Sequence, residues 1–326
     1  MTHSIEEHQG YRHVGHVLGV DLDMTTVVGP VLRRAVADGE PVVVACPEAV
    51  AAAVLATLEG VGDVYVAPTD PLDDRPPAAL AAIAELVDAR APGEGRRLHL
   101  VTGPGGPHTD PAVWMQTEAL LNHVLAERPV DHICLLGPLG AGPAAGTGPV
   151  VDVDAVVHAT HPWLLTEVGT VRNPAYRPPA ELLREVQRAS VPDPLEETEP
   201  TLSVVDMEDM RALRRALTRV LADSSLSADA AQDFVLAIDE VTANASEHGI
   251  PPVDVRLWCT PERLLCAVTD RGAAFDDPLV GYGPAHGDMA VGGMGLWLAR
   301  RSVDSLTAAP ADDSGDGCTV RLVVHA

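Results

Sequence analysis

The sequence predicts two domains of different class: an α/β domain with a mainly parallel sheet and helices on both faces, then a two-layer α+β sandwich. Three observations carry this. Strand and helix signals alternate from about residue 11 to 188. Residues 189–200, "ASVPDPLEETEP", hold three prolines and four acidic residues without apolar periodicity, and read as a linker. Beyond it the order changes to strand, two helices, hairpin, helix and strand. The expected division is 1–188, a linker at 189–200, and 201–326, which suits a chain of 326 residues.

In the first domain "MTTVVGPVLRRAVADG" has a helical period and ends at Gly39. "PVVVAC" is a short buried strand, and "PEAVAAAVLATLEG" a helix with Pro47 near its start and Gly60 past its end. "DVYVA", "RLHLVT" and "HICLLG" read as further strands, with "PPAALAAIAELVDAR" and "DPAVWMQTEALLNHVLAE" as the helices between them. In the second domain "TLSVVD" is a strand, followed by the helices "MEDMRALRRALTRVLADS" and "SADAAQDFVLAIDEVTANASEH". "VDVRLWCT" and "RLLCAVTD" form a hairpin around "PE", with Val253, Val255, Leu257 and Cys259 pointing inward. A Gly- and Pro-rich loop, 273–293, leads to the helix "MGLWLARRSVDSL", and "CTVRLVV" closes as a strand.

Composition excludes several functions. The formal charge is -25, which disfavours nucleic acid or an anionic membrane as the main partner, because both need clustered cations. All 22 basic residues are Arg. A Walker-A loop and lysine Schiff-base chemistry both require Lys and are therefore excluded. The five Cys (46, 134, 259, 266 and 318) are scattered without a C-x-x-C pair, as in a reduced chain. With no secretory signal and no apolar run of membrane-spanning length, a cytoplasmic protein is expected.

The chemistry concentrates in the second domain. Phe234, Ile238, Val241 and Ala245 form the buried stripe of a helix. Glu240 and Asn244, four apart, share a face beside that stripe, where a carboxylate is costly without a partner or a task. Taken alone, the pair reads equally well as a helix-surface pair. "TDRGAAFDDP" (269–278) places Asp270 at a strand end, with Gly272 opening the backbone beside it. "GGMGL" (292–296) puts glycines at a helix entry, where free N–H groups suit phosphate. "GCTVRL" leads into the last strand.

This ordered set resembles the ATP-binding fold shared by gyrase, heat-shock chaperones and histidine kinases (the GHKL or Bergerat type). "NASEHG" and "GGMGLWLARRSVD" look most like the RsbW-type anti-sigma-factor serine/threonine kinases. The resemblance, over about 201–326, implies Mg2+ and ATP. Asn244 would hold the metal, Glu240 would activate the attacking hydroxyl, and Asp270 would accept from adenine. Gly272 would permit close approach, and Gly293 and Gly295 would belong to the lid over the phosphates. The family's Thr after the last-motif Gly is Cys318 here, with Thr319 next in line as a nucleotide contact. A thiol is the weaker hydrogen-bonding group. Partners implied are an anti-anti-sigma (STAS-domain) protein or a sigma factor, and kinases of this type are often homodimers. Two alternatives stand beside the kinase: a non-catalytic ATP-dependent switch, and a histidine kinase. The second lacks its phospho-accepting helix, since 206–223 contains no His.

"RHVGHVL", "VVGPVLRRAVADGEPVVVACPE" and "QTEALLNHVLAE" resemble the MEDS sensory domain, and the pairing resembles RsbA-family regulators of actinobacteria. That implies a small-molecule or partner signal read by 1–188. In such sheets ligands bind beyond the strand C-termini, here "ACPE", "APTD", "TGPGGPHTD" and "LLGPLG". Two H-x-x-H pairs, His13/His16 and His158/His161, carry metal-ligand types with Cys46. Nothing in the spacing makes them converge, and they read as four unrelated histidines. Glu118 and Asn122 repeat the Glu240/Asn244 spacing and read as domain packing or a sensory pocket.

Overall fold

The computed structural model describes residues 10–18, 24–58, 64–67, 76–93, 95–103, 111–137, 152–188, 192–273, 277–283, 294–311 and 317–326. The chain divides into two compact units, Met1–Leu182 and Leu183–Ala326.

The first unit has a seven-stranded sheet: β1 (Arg12–Val17), β2 (Val42–Ala45), β3 (Val64–Val66), β4 (Leu98–Thr102), β5 (Val130–Leu136), β6 (Trp163–Thr166) and β7 (Gly169–Arg172). The order is β3-β2-β4-β5-β1-β6-β7. Every pairing is parallel except β6 with β7. Its helices are α1 (Gly29–Ala37), α2 (Glu48–Ala56), α3 (Pro76–Ala89), α4 (Pro111–Val124) and α5 (Val153–Thr160), and α6 (Pro179–Arg188) runs across the division at Leu182. Side-chain alternation sorts the strands between two cores. Val14, Val44, Val101 and Ile133 pack with Leu32 of α1 and Val54 of α2. On the other face, Cys134 and Leu136 meet Val157 of α5 and Trp114 of α4. The α/β expectation holds, with three strands added to those read from sequence. β1 escaped because buried His13 and half-buried His16 interrupt its apolar signal, and β6 and β7 because they are four residues each.

The second unit runs β8 (Leu202–Val204), α7 (Met210–Leu221), α8 (Ala228–His248), β9 (Asp254–Cys259), β10 (Arg263–Asp270), α9 (Met294–Arg301), β11 (Ser305–Pro310) and β12 (Cys318–His325). Its sheet, β11-β12-β10-β9-β8, is antiparallel throughout. Asp209 caps α7 through the amides of Arg211 and Ala212, and Ser227 caps α8 through Ala230. Leu213, Leu217 and Leu221 of α7 bury one stripe, and Phe234, Ile238, Val241 and Ala245 of α8 another. Both pack on the face presenting Leu264, Cys266, Val268, Val320 and Leu322. The helix expected through residue 306 stops at Arg301, because Leu306 and Ala308 alternate into this core as an edge strand ending at Pro310.

The expected linker needs correction over 192–200. Asp193 and Glu196 form a capping box around a short 3-10 helix, Pro194–Glu197. Asp193 accepts two hydrogen bonds from Arg263, at 2.8 and 2.7 Å, and Glu196 two from Arg321, at 2.5 and 3.1 Å. Leu195 packs on Trp258, Leu265 and Ala267, and Trp258 Nε1 donates to the Thr198 carbonyl. Two of the acids that resemble a solvated linker, Asp193 and Glu196, thus fasten a strap across the face of the sheet opposite α7 and α8.

Candidate functional site: the α8–β10–α9 corner

Glu240 and Asn244 lie one turn apart on α8, both half-buried. Among the described residues neither side chain has a hydrogen-bond or ion-pair partner. The neighbouring acid differs: Asp239 is buried and paired with Arg214 of α7. Glu240 faces the first turn of α9, and a Cβ on Gly295 would overlap its Oε2. Any larger residue at 295 would therefore push this carboxylate aside. Gly293 lies outside the described residues.

Asp270 ends β10 and is 7% exposed. Its Oδ1 accepts from the Gly272 amide at 2.6 Å and from the Ile250 amide at 3.3 Å. Both bonds fall on one oxygen, so Oδ2 remains to accept from a ligand. A Cβ on Gly272 would stand 2.7 Å from Oδ1, and one on Gly249 would stand 2.6 Å away. Gly249 follows α8, so the helix stops at a glycine because its end packs against this carboxylate. The sequence offered that signal in "EHG", without saying what the glycine meets.

β12 pairs in register with β10, setting Cys318 opposite Asp270 and Thr319 opposite Thr269. Cys318 belongs to the helix-facing core. Burial, then the negative charge of Asp270, pushes its thiol pKa up to about 11. Thr319 turns to the other face, where its hydroxyl lies 3.0 Å from that of Thr269. Thr319 is therefore corrected: it does not join Asp270, because adjacent strand residues point to opposite faces.

Arg300 of α9 was not foreseen. It is 5% exposed, donates to the carbonyls of Leu306 (2.8 Å) and Val280 (3.3 Å), and lies 3.8 Å from the Tyr282 ring centroid. It ties α9 to residues 280–282, just ahead of the glycine-rich segment.

The first unit corrects another reading. His13 and His161 are not unrelated, since their ring centroids lie 3.9 Å apart. Cys46 is elsewhere, its thiol directed at the Val101 carbonyl. His16 bonds the Leu165 carbonyl and His158 lies against Asn173.

The second unit thus combines an antiparallel sheet packed by helices on one face, a carboxylate and carboxamide one turn apart on a helix, Asp-x-Gly at a strand end and a glycine in the first turn of the next helix. Residues 204–324 match the family model of the histidine kinase-like ATPase domain, and this part of the chain is a domain of that kind. Such a domain implies ATP, usually with Mg2+. No curated protein matches the chain. Among the described residues no helix is long and apolar enough to cross a membrane.

Proposed function

We propose that residues 201–326 bind Mg-ATP and phosphorylate a Ser or Thr hydroxyl of a partner protein of the anti-anti-sigma type, or sequester a sigma factor, under control of a signal read by residues 1–188. The observation that carries the reading is the pair Glu240 and Asn244: half-buried, one turn apart, without protein partners among the described residues, with Glu240 set against Gly295.

The residues fit the groups they would hold. Asn244 offers a side-chain oxygen to a hard cation, and Asp270 Oδ2 offers an acceptor to an exocyclic amine. When bound, Mg2+ would neutralise charge on the phosphates. Glu240 would take the proton of the acceptor hydroxyl as its oxygen bonds to the γ-phosphorus and the bond to the β-phosphate oxygen breaks, leaving ADP. Gly272 and Gly249 let the backbone close around Asp270, which holds the acceptor oxygen in place.

The test is transfer of labelled γ-phosphate to candidate STAS-domain partners. Transfer that disappears in Glu240→Gln while ATP binding persists supports the kinase. ATP-dependent partner binding with equal or no transfer in both proteins would overturn it. That outcome would favour the second reading, a non-catalytic switch, for which Cys318 opposite Asp270 is the favouring observation.

A further inference from the structure

The first unit buries four metal-ligating side chains together, between the sheet and helices α4 and α5. His13 comes from β1, Cys134 from β5, Glu118 from α4, and His161 from the residue that ends α5. Each is 0% exposed. One ligand atom from each lies within 4.8 Å of all the others. We propose that His13, Glu118, Cys134 and His161 form a closed four-ligand site for a zinc-class divalent cation.

Three of the four separations lie close to the ligand spacing of a tetrahedral ion, and the fourth, His13 to Cys134, is shorter. His13 Nε2 lies 3.1 Å from Cys134 Sγ and 3.4 Å from Glu118 Oε2. His161 Nε2 is 3.6 Å from Glu118 Oε2, and Cys134 Sγ is 3.7 Å from the same oxygen. A tetrahedral zinc with ordinary N, O and S bond lengths sets its ligand atoms about 3.3–3.6 Å apart. A nitrogen–oxygen hydrogen bond spans about 2.7–3.2 Å, so the His161–Glu118 approach is too long to be one.

Two of the four ligands are oriented by their surroundings, His161 and Glu118. His161 Nδ1 lies 2.9 Å from Thr160 Oγ1 and 3.3 Å from the Val157 carbonyl. The Thr160 hydroxyl is already donating to the Val156 carbonyl, so Nδ1 carries the proton and donates. That leaves a lone pair on His161 Nε2, a buried atom without a hydrogen-bond partner. Glu118 Oε1 accepts from Trp114 Nε1 at 3.1 Å, leaving Oε2 for the centre. Two acceptors therefore face each other in a dry interior, an arrangement that a cation relieves. Charge balances as well: a thiolate, a carboxylate and two neutral imidazoles around a divalent ion sum to zero.

The fold makes room for the cluster. A Cβ on Gly15 would lie 2.9 Å from His161 Cγ and 2.8 Å from Val157 Cγ1, so β1 carries glycine where the imidazole crosses it. His132 stands beside the cluster but is already engaged, with Nδ1 to the Tyr11 hydroxyl (2.7 Å) and Nε2 to Thr102 (2.9 Å). Four protein ligands leave no position for water or substrate, so the ion would staple β1, β5, α4 and α5 rather than catalyse.

The experiment uses the purified full chain, stripped with a chelator and titrated with Co2+. The expected result is saturation at ~1 equivalent per chain, with visible bands of tetrahedral cobalt and a near-ultraviolet thiolate-to-cobalt band. Cys134→Ser loses the near-ultraviolet band, and His158→Ala, outside the cluster, keeps the full spectrum. The wild-type spectrum decides even if a ligand variant fails to fold. No spectrum on titrating wild type, or a thiolate band surviving in folded Cys134→Ser, would overturn the proposal. The readout is independent of nucleotide, so it stands apart from the ATP reading.

Discussion

Gly295 at the start of α9 sits where any side chain would strike the carboxylate of Glu240 on α8. The relationship couples the general base of the proposed reaction to the helix that follows the glycine-rich segment. Gly295→Ala should therefore displace Glu240. Phosphoryl transfer should fall at least tenfold, roughly 1.4 kcal/mol in the barrier, with ATP affinity and melting temperature changed little. A variant with unaltered turnover would mean that Glu240 does not act from this position.

Cys318 pairs with Asp270, and under the proposed function a hydroxyl there would serve adenine better than a thiol. Cys318→Thr should tighten ATP binding by about 2- to 10-fold, the worth of one net hydrogen bond. Thr319→Val should leave affinity unchanged, since that hydroxyl meets Thr269 on the other face. Calorimetry on the two variants reads both outcomes.

The raised pKa of Cys318, about 11, keeps it a thiol at neutral pH. In the folded chain at pH 8 its alkylation should run roughly two hundred-fold slower than that of a free thiol, in proportion to thiolate fraction. The sign for stability follows. An unfolded thiol ionises near pH 8.5 and the folded one much higher, so folded Cys318 retains its proton between these values. Its contribution is present below about pH 8.5 and is lost as pH rises toward 11. Cys266, its pKa also raised by burial, acts in the same direction. Peptide mapping after timed alkylation checks the rate, and denaturant unfolding at pH 7 and 10 checks the sign.

The strap at 192–200 predicts a stability effect on the face of the sheet away from the candidate site. Arg321 and Glu196 are 11% and 14% exposed, so their two hydrogen bonds are only partly screened by water. Glu196→Gln should cost about 1–3 kcal/mol in denaturant unfolding of the full chain. Arg177→Gln, at the exposed pair with Glu181, should cost under about 1 kcal/mol. Equal effects would show that the strap contributes nothing special.

The local geometry of the candidate site in the second unit was legible because spacing encodes it. Glu240 to Asn244 is one helical turn, and Asp270 to Gly272 one bend. Cys318 and Thr319 differed by a single position, and there only the β10–β12 register settled which residue faces Asp270. The buried cluster was illegible for the opposite reason. His13, Glu118, Cys134 and His161 come from four elements, and the order of strands β4, β5, β1 and β6 that joins them is not written in any spacing. The H-x-x-H pairs misled because neighbouring members of a strand or helix end point to different places: His13 inward, His16 to the Leu165 carbonyl. The strap looked like a linker because its acids are opposed by Arg263 and Arg321, distant in sequence.

The most direct test is a calorimetric titration of the purified chain with Mg-ATP, run beside Asn244→Ala and Asp270→Asn. The account predicts saturable binding that falls at least tenfold in each variant, about 1.4 kcal/mol or more, while both variants keep the wild-type melting temperature within a few degrees. Absence of binding at millimolar ATP, or binding indifferent to both substitutions, would contradict the assignment of this corner as the nucleotide site.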